Sequence, residues 1–235
     1  HDYRGALIST TQEEPVAKRF YFGARNISRP FFKLLWNPRI TGLENIPREG
    51  GFVIASNHLA NIDSFVLPVA LPRQIRFVAK DTLWTQKGIR GRILRWFFEA
   101  VEAVPVDREA LSSGKGALQA GLSILREVDG FAIYPEGTRS KDGLLYPGKQ
   151  GAAWLAVESG CPVIPVGLKG TQHMFSRLLP HRGAITVRVG APIELDDIDP
   201  TASKGVRRRL LNARIMEEIQ ALSGQRRAVP SRPVA

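Results

Sequence analysis

The chain has 235 residues, with 33 Lys and Arg against 22 Asp and Glu, so its formal net charge is +11. At 43% hydrophobic residues it can bury a full core, which excludes a disordered chain, and its single cysteine, Cys161, excludes a disulfide framework and a multi-cysteine zinc site. A lone cysteine fits a reducing compartment, so a cytoplasmic location is the default expectation, and no run reaches the roughly 18 apolar residues that cross a bilayer, so no transmembrane span is expected; the positive charge would serve phosphate backbones, anionic lipid or an anionic substrate.

Three segments are expected. Residues 1–41 form a basic and aromatic helical segment. Between Lys18 and Arg39 stand six basic residues, six aromatics (Phe20, Tyr21, Phe22, Phe31, Phe32, Trp36) and no acid. Such a mixture can lie in a lipid headgroup layer, or it can form a helical hairpin whose aromatics pack on the core; amphipathicity alone does not separate the two. A second patch, Trp84 to Phe98, repeats the composition with Lys87, Arg90, Arg92, Arg95, Trp96 and Phe97.

Residues 42–223 alternate short apolar runs with helical periodicity, the signature of an α/β domain. Strands are expected at Phe52 to Ser56, Ile75 to Ala79, Ala103 to Val106, Phe131 to Tyr134, Val163 to Val166 and Ile185 to Val189. One helix is expected after Ser112 or Ser113, with Leu118, Gly121, Leu122, Leu125 and Val128 on one face. Another runs from about Lys149 to Ser159 and stops at Gly160, and a last one carries Leu211, Ile215, Ile219 and Leu222. Residues 224–235 should form a loose tail.

Chemistry concentrates where strands end. His58 and Asp63 follow the first strand, and a spacing of five brings them together only if the chain turns between strand and helix. Asp63 would then fix the imidazole tautomer and leave the other nitrogen as a base. Taken alone, the pair is equally read as a helix-capping acid beside a surface histidine. In Tyr134-Pro135-Glu136-Gly137-Thr138-Arg139-Ser140, Pro135 and Gly137 favour a turn that displays Glu136 and Arg139 rather than burying them. Arg139 suits a phosphate or carboxylate, while Glu136 could orient Arg139 or merely pair with it. Lys80 and Arg108 also follow predicted strands. If the sheet is mostly parallel, all of these groups share the rim where open α/β sheets bind ligands.

Rival chemistries lack their residues. Ser113-Gly114-Lys115-Gly116 has the wrong spacing for a phosphate loop, and no Gly-x-Ser-x-Gly elbow supplies a hydrolase nucleophile. Cys161 suits a small buried hydrophobe, and His173 and His181 suit a surface loop; no metal site is expected. A non-catalytic basic module binding lipid or nucleic acid would explain the charge but not a histidine, an acid and cations that all follow strands.

In chain order, Asn57-His58 with Asp63, Val106-Asp107-Arg108, the Tyr134 to Ser140 string, and Cys161-Pro162-Val163-Ile164-Pro165-Val166 resemble the four blocks of the 1-acyl-sn-glycerol-3-phosphate acyltransferase (PlsC-like glycerolipid acyltransferase) family. The likeness covers about Gly42 to Gly190. It departs at Tyr134, where Phe is usual, at Val106, where Ile is usual, and at Pro147-Gly148-Lys149, where the middle residue is usually aromatic. The resemblance implies a mostly parallel sheet flanked by helices, with His58 as general base and Asp63 as its orienting partner. It implies that Glu136, Gly137 and Arg139, with Arg108 and Lys80, hold the acceptor phosphate, supported by Asn57, Thr138, Ser140 and Lys149. The implied reaction moves an acyl group from acyl-CoA or acyl carrier protein to lysophosphatidic acid, giving phosphatidic acid, without cofactor or nucleic acid. Glycerol 3-phosphate or another lysophospholipid is the alternative acceptor, and the implied location is peripheral, on an anionic membrane surface at its cytoplasmic face.

Overall fold

A computed structural model of the chain describes residues 14–80, 103–106, 115–127, 129–174 and 182–228, together with positions 88, 91, 92 and 95. Helix α1 (Glu14–Trp36) leads to strand β1 (Arg39–Thr41), then β2 (Phe52–Ser56), α2 (Asp63–Ala70), β3 (Ile75–Arg76), β4 (Val78–Lys80) and β5 (Val104–Val106). Helix α3 (Lys115–Arg126), β6 (Gly130–Ile133), α4 (Gly151–Ser159), β7 (Val163–Lys169), β8 (Thr186–Val189) and α5 (Lys204–Ser223) follow.

Six strands make the central sheet in the order β1-β8-β7-β2-β6-β3, all neighbours parallel except β7 and β8. Strand β2 sits between β7 and β6, and every one of its side chains is buried, as a parallel strand covered on both faces requires. Alternation along β2 then assigns the layers. Phe52 and Ile54 join a core with α2 (Val66, Leu67, Val69) and Phe32 of α1, whereas Val53 and Ala55 join Ile124 of α3, Leu155 of α4 and Leu211, Ile215 and Ile219 of α5. The result is the expected mixed α/β architecture with helices on both faces. Gly160 ends α4 with φ 75°, as its sequence position suggested, and Gly224 ends α5 with φ 70°.

Three expectations change. The run Ile75 to Ala79 is two strands rather than one. Pairing breaks at Phe77, which is buried in the first core layer, so β3 edges the main sheet and β4 pairs with β5 in a separate two-stranded sheet. Lys80 therefore ends a strand of a different sheet from the one that leads to His58, and its side chain lies outside the described residues. Arg108 and most of the Trp84 to Phe98 patch lie outside the described residues. The tail is not loose throughout: Leu145 donates its N–H to Arg226 O at 2.9 Å, and Ala228 donates to Leu145 O at 2.9 Å. Residues 229–235 lie outside the described residues. Strand β1 escaped the sequence reading because its short, polar pattern carries no apolar run.

Over its described residues α1 is one continuous helix, not a hairpin, and it splits the two readings of its aromatics. Tyr21 and Phe32 are 2% exposed, while Ile27, Phe31 and Leu34 are 66%, 60% and 64% exposed. Arg25 donates to the carbonyls of Leu71 and Pro72, which fastens α1 to the end of α2. No described helix is long and apolar enough to cross a membrane.

Helix α5 reaches β7 closely because Gly167 has no side chain. A Cβ there would lie 2.4 Å from Leu222 C and 2.5 Å from Ser223 N, both backbone atoms that cannot step aside alone. Gly167→Ala is expected to cost about 1–3 kcal/mol by forcing the end of α5 off the sheet, read as a lower urea midpoint at unchanged slope.

Candidate active site

The centre of the site is the turn from β2 into α2. Asp63 is fully buried and opens α2, while His58 lies at the end of β2, so the intervening turn closes the five-residue gap. The Asp63 carboxylate oxygen Oδ2 lies 2.9 Å from His58 Nδ1 and accepts the backbone N–H groups of Leu59 at 2.7 Å and Ala60 at 2.8 Å. An oxygen already receiving two donors is an acceptor toward the ring as well, which assigns the proton to Nδ1 and the lone pair to Nε2.

The ring face is held independently. Tyr134 stacks on His58 with centroids 3.9 Å apart and planes 7° apart, and Phe77 stacks behind Tyr134 at 5.9 Å. Tyr134 and Ser64 hydroxyls meet at 3.2 Å. Burial, and then the neighbouring Asp63 charge, push the Tyr134 phenol well above its ordinary range, so it stays neutral beneath the imidazole.

Glu136 departs from expectation: it is 5% exposed, not displayed. Its Oε1 accepts the His58 N–H at 3.1 Å and its Oε2 accepts the Tyr146 N–H at 3.0 Å. Burial raises its pKa, and those two bonds oppose the rise. Ser140 adds a return link, donating its N–H to His58 O at 2.8 Å. Thus the glutamate and serine of the Tyr134 to Ser140 string grip the backbone of the histidine. Gly137, at φ 72°, makes the tight turn; a Cβ there would meet Lys149 Nζ at 2.9 Å, so the lysine lies across it. Thr138, Arg139 and Lys149 are exposed.

Arg139 lines a cavity of about 420 Å³ with Leu59, Ser140, Lys141, Asp142, Gly143, Gln172 and His173. Leu59 and Ser140 join it directly to the histidine turn. The cavity holds two fixed cations and one carboxylate. That carboxylate, Asp142, is lowered in pKa chiefly by the Leu144 N–H and then by the Tyr146 hydroxyl. Gln172 and His173 carried no signal in the sequence, because their relation to Arg139 arises only when the turn after β7 comes round to the Arg139 loop; Lys141, two residues after Arg139, reads in the sequence as one more exposed lysine. Asn57, expected as a supporting residue, is fully buried: its amide exchanges two bonds with Leu168 of β7 and a third with Gln225. The side chain of Lys80 and all of Arg108 lie outside the described residues, so the site as described consists of His58, Asp63, Glu136, Gly137, Arg139 and their supports.

A family model described as Acyltransferase matches residues 37–169. Among similar curated proteins, the 1-acyl-sn-glycerol-3-phosphate acyltransferase of Bacillus subtilis is 30% identical over 196 residues, 82% of this chain and 93% of its own length. The chloroplastic 1-acyl-sn-glycerol-3-phosphate acyltransferase BAT2 of Brassica napus is 30% identical over 70% of this chain but only 46% of its own length. The crystal structure of the 1-acyl-sn-glycerophosphate (LPA) acyltransferase PlsC from Thermotoga maritima matches with a TM-score of 0.65 at 24% identity, covering 91% of this chain and 85% of that one, a likeness of fold.

Glu136 gives a test of the scaffold. Its ordinary value is 4.5 and the folded value is higher, so the native state holds this proton more tightly than the unfolded chain does. The associated stability is fully present below pH 4.5 and is lost as pH rises through the folded pKa. Glu136→Gln removes that titration and turns an amide N–H toward one of the two backbone donors, at a cost of about 1–3 kcal/mol. The stability gap between parent and variant is therefore expected to be widest below pH 4.5 and to narrow above it, measured by urea unfolding across that range. A gap that widens with pH would show that the two N–H bonds outweigh burial.

Proposed function

This chain belongs to the acyltransferase family, and we propose that it transfers a fatty acyl group from an acyl thioester to the free hydroxyl of 1-acyl-sn-glycerol 3-phosphate, giving phosphatidic acid. One observation carries the reading: an imidazole with Nδ1 committed to a buried carboxylate and Nε2 available stands beside an arginine-lined cavity. The B. subtilis relative, which this chain covers almost completely, bears the same activity in its name.

In the proposed reaction, His58 Nε2 takes the hydroxyl proton as the oxygen attacks the thioester carbonyl. The tetrahedral intermediate then expels the thiolate, which receives that proton from the imidazolium. Nothing is transferred to the protein, so no nucleophilic serine or cysteine is needed. General-base action contributes about 10²–10⁴-fold, and fixing the imidazole in three directions supports the positioning term. Arg139 and Lys141, with Gln172 and His173 in the same cavity lining, offer charge-assisted contacts to the acceptor phosphate. The donor is a thioester of CoA or of an acyl carrier protein.

Acyl-CoA consumption by the purified protein, measured with glycerol 3-phosphate, 1-acylglycerol 3-phosphate and lysophospholipids with larger headgroups, tests the assignment. Turnover that depends on 1-acylglycerol 3-phosphate is expected; dependence on another acceptor, or on none, overturns it. His58→Ala is expected to lower turnover at least 10²-fold with an unchanged circular dichroism spectrum. Arg139→Ala is expected to raise the acceptor KM about tenfold or more, and more than the donor KM, as loss of a charge-assisted hydrogen bond worth about 1.5–3 kcal/mol predicts.

The substrate and product stay in lipid, so the reading includes a dock on an anionic membrane surface. Exposed Ile27, Phe31 and Leu34 lie on one stripe of α1 at helical spacing, and exposed Lys33 adjoins them. Replacing Phe31 and Leu34 with Ser is expected to release the protein from anionic vesicles in a flotation assay while sparing transfer to a short-chain soluble acceptor. Unchanged flotation would move the dock elsewhere.

A further inference from the structure

The C-terminal segment enters the site through a single side chain. Gly224 turns the chain at the end of α5, and the next residue, Gln225, reaches two places that are far apart in sequence. Its Oε1 accepts from Asn57 Nδ2 at 2.7 Å, and its Nε2 donates to Gly143 O at 3.0 Å. Asn57 precedes the base His58; Gly143 lines the cavity that also contains Arg139. The backbone on either side is fixed as well. Gln225 N–H donates to Ser223 Oγ at 3.2 Å, and Leu145 pairs with the segment through Arg226 and Ala228.

An amide is the group this position requires. Asn57 presents a donor, since its Oδ1 is taken by the Leu168 N–H at 2.7 Å, and Gly143 presents a carbonyl acceptor. Only a side chain that accepts at one atom and donates at another satisfies both, and glutamine does so with the length to span them. The loop from Ser140 to Tyr146 is thereby held from two sides, by Glu136 at Tyr146 and by Gln225 at Gly143.

We infer that Gln225 is a positioning residue for acyl transfer: its amide ties the turn that carries the base to the wall of the anion cavity, so the C-terminal segment sets the distance between His58, which meets the acceptor's hydroxyl, and the cavity that takes its phosphate. The inference rests on the proposed function for the identity of the acceptor, and on the geometry alone for the tie.

The test compares the full chain with Gln225→Ala and Gln225→Glu. A carboxylate still accepts from Asn57 but has no hydrogen for Gly143 O, so the Glu variant cuts one half of the tie. Gln225→Glu is expected to raise the acceptor KM about fivefold, the effect of one lost hydrogen bond, and Gln225→Ala, which loses both, at least as much, with the donor KM unchanged within twofold in each. Amide exchange at Ser140, Leu145 and Tyr146 is expected to quicken to a similar degree, a readout that needs no turnover. Should Gln225→Ala lower the Tm, the Glu variant decides. Unchanged acceptor KM, or an equal rise of both constants, overturns the inference, as does unchanged exchange. A parent protein that acylates a different acceptor would overturn the proposed function instead, and the constants would then be read on that acceptor.

Discussion

A carboxylate without water is expensive, and the site is organised around one. Asp63 is fully buried, and Oδ2 gathers three hydrogens, from the imidazole and from the backbone of Leu59 and Ala60. Those bonds, with the N-terminus of α2 behind them, offset the loss of hydration at Oδ2, while Oδ1 is buried without a hydrogen-bond partner among the described residues. They also impose a shape: the chain must fold back over the carboxylate within five residues. The spacing that looks wrong for a helix face is right for a loop wrapped around its own acid. A parallel strand ending inside the sheet supplies the rigid entry to that loop, and a helix starting at the acid supplies the exit.

From this constraint the imidazole loses its freedoms in turn. Asp63 fixes rotation within the ring plane, Tyr134 fixes the plane, and Glu136 and Ser140 fix the backbone from which the ring hangs. The restraints come from the start of α2, which carries Asp63, and from the Tyr134 to Ser140 string after β6, which supplies both the stacked ring and the two backbone grips on the turn after β2. Two of these segments leave neighbouring parallel strands, β2 and β6, and the register Ala55 to Ile133 brings their ends to the same level. Tyr134, one residue beyond that pair, is thereby delivered to the face of His58. The sheet is thus the source of the stacking geometry, which needs no contribution from solvent-exposed contacts.

What the sequence made legible follows from range. Strand β2, α4 with its terminal Gly160, and the meeting of His58 with Asp63 are local events governed by apolar runs, glycine and short turns. The α/β class was legible through alternation, as was the placing of Glu136 and Arg139 after a strand, while the mostly parallel sheet came from the family resemblance. The burial of Glu136 was not: a turn containing Pro and Gly says where a residue emerges but not which backbone donors wait there. Nor did periodicity reveal that Phe77 would break one strand into two sheets, since a buried aromatic suits either a strand or a break. Gln225 left no trace at all, because its partners lie 168 and 82 residues away. His173 looked like a surface loop residue, and it is exposed; its place in the cavity wall depends on how the turn after β7 packs against the Arg139 loop.

Helix α1 shows how one segment can serve two surfaces. Its composition allowed either a lipid-facing or a core-facing role, and a helix resolves such a choice by angle: Tyr21 and Phe32 turn inward, Ile27, Phe31 and Leu34 outward. The inward face has a mechanical consequence for the proposed dock. Phe32 packs edge-on against Phe65 of α2, and Arg25 holds the carbonyls that follow α2. Helix α2 begins with Asp63, so the helix of the proposed dock is braced against the same element that presents the carboxylate to His58. On the proposed reading, a lipid acceptor held by its acyl chain at the α1 surface and by its phosphate in the Arg139 cavity would be referenced at both ends to the turn around Asp63 and the helix that follows it. On that proposed geometry, the orientation of the helix on the membrane would become part of how the hydroxyl meets His58, and not merely a means of raising local concentration.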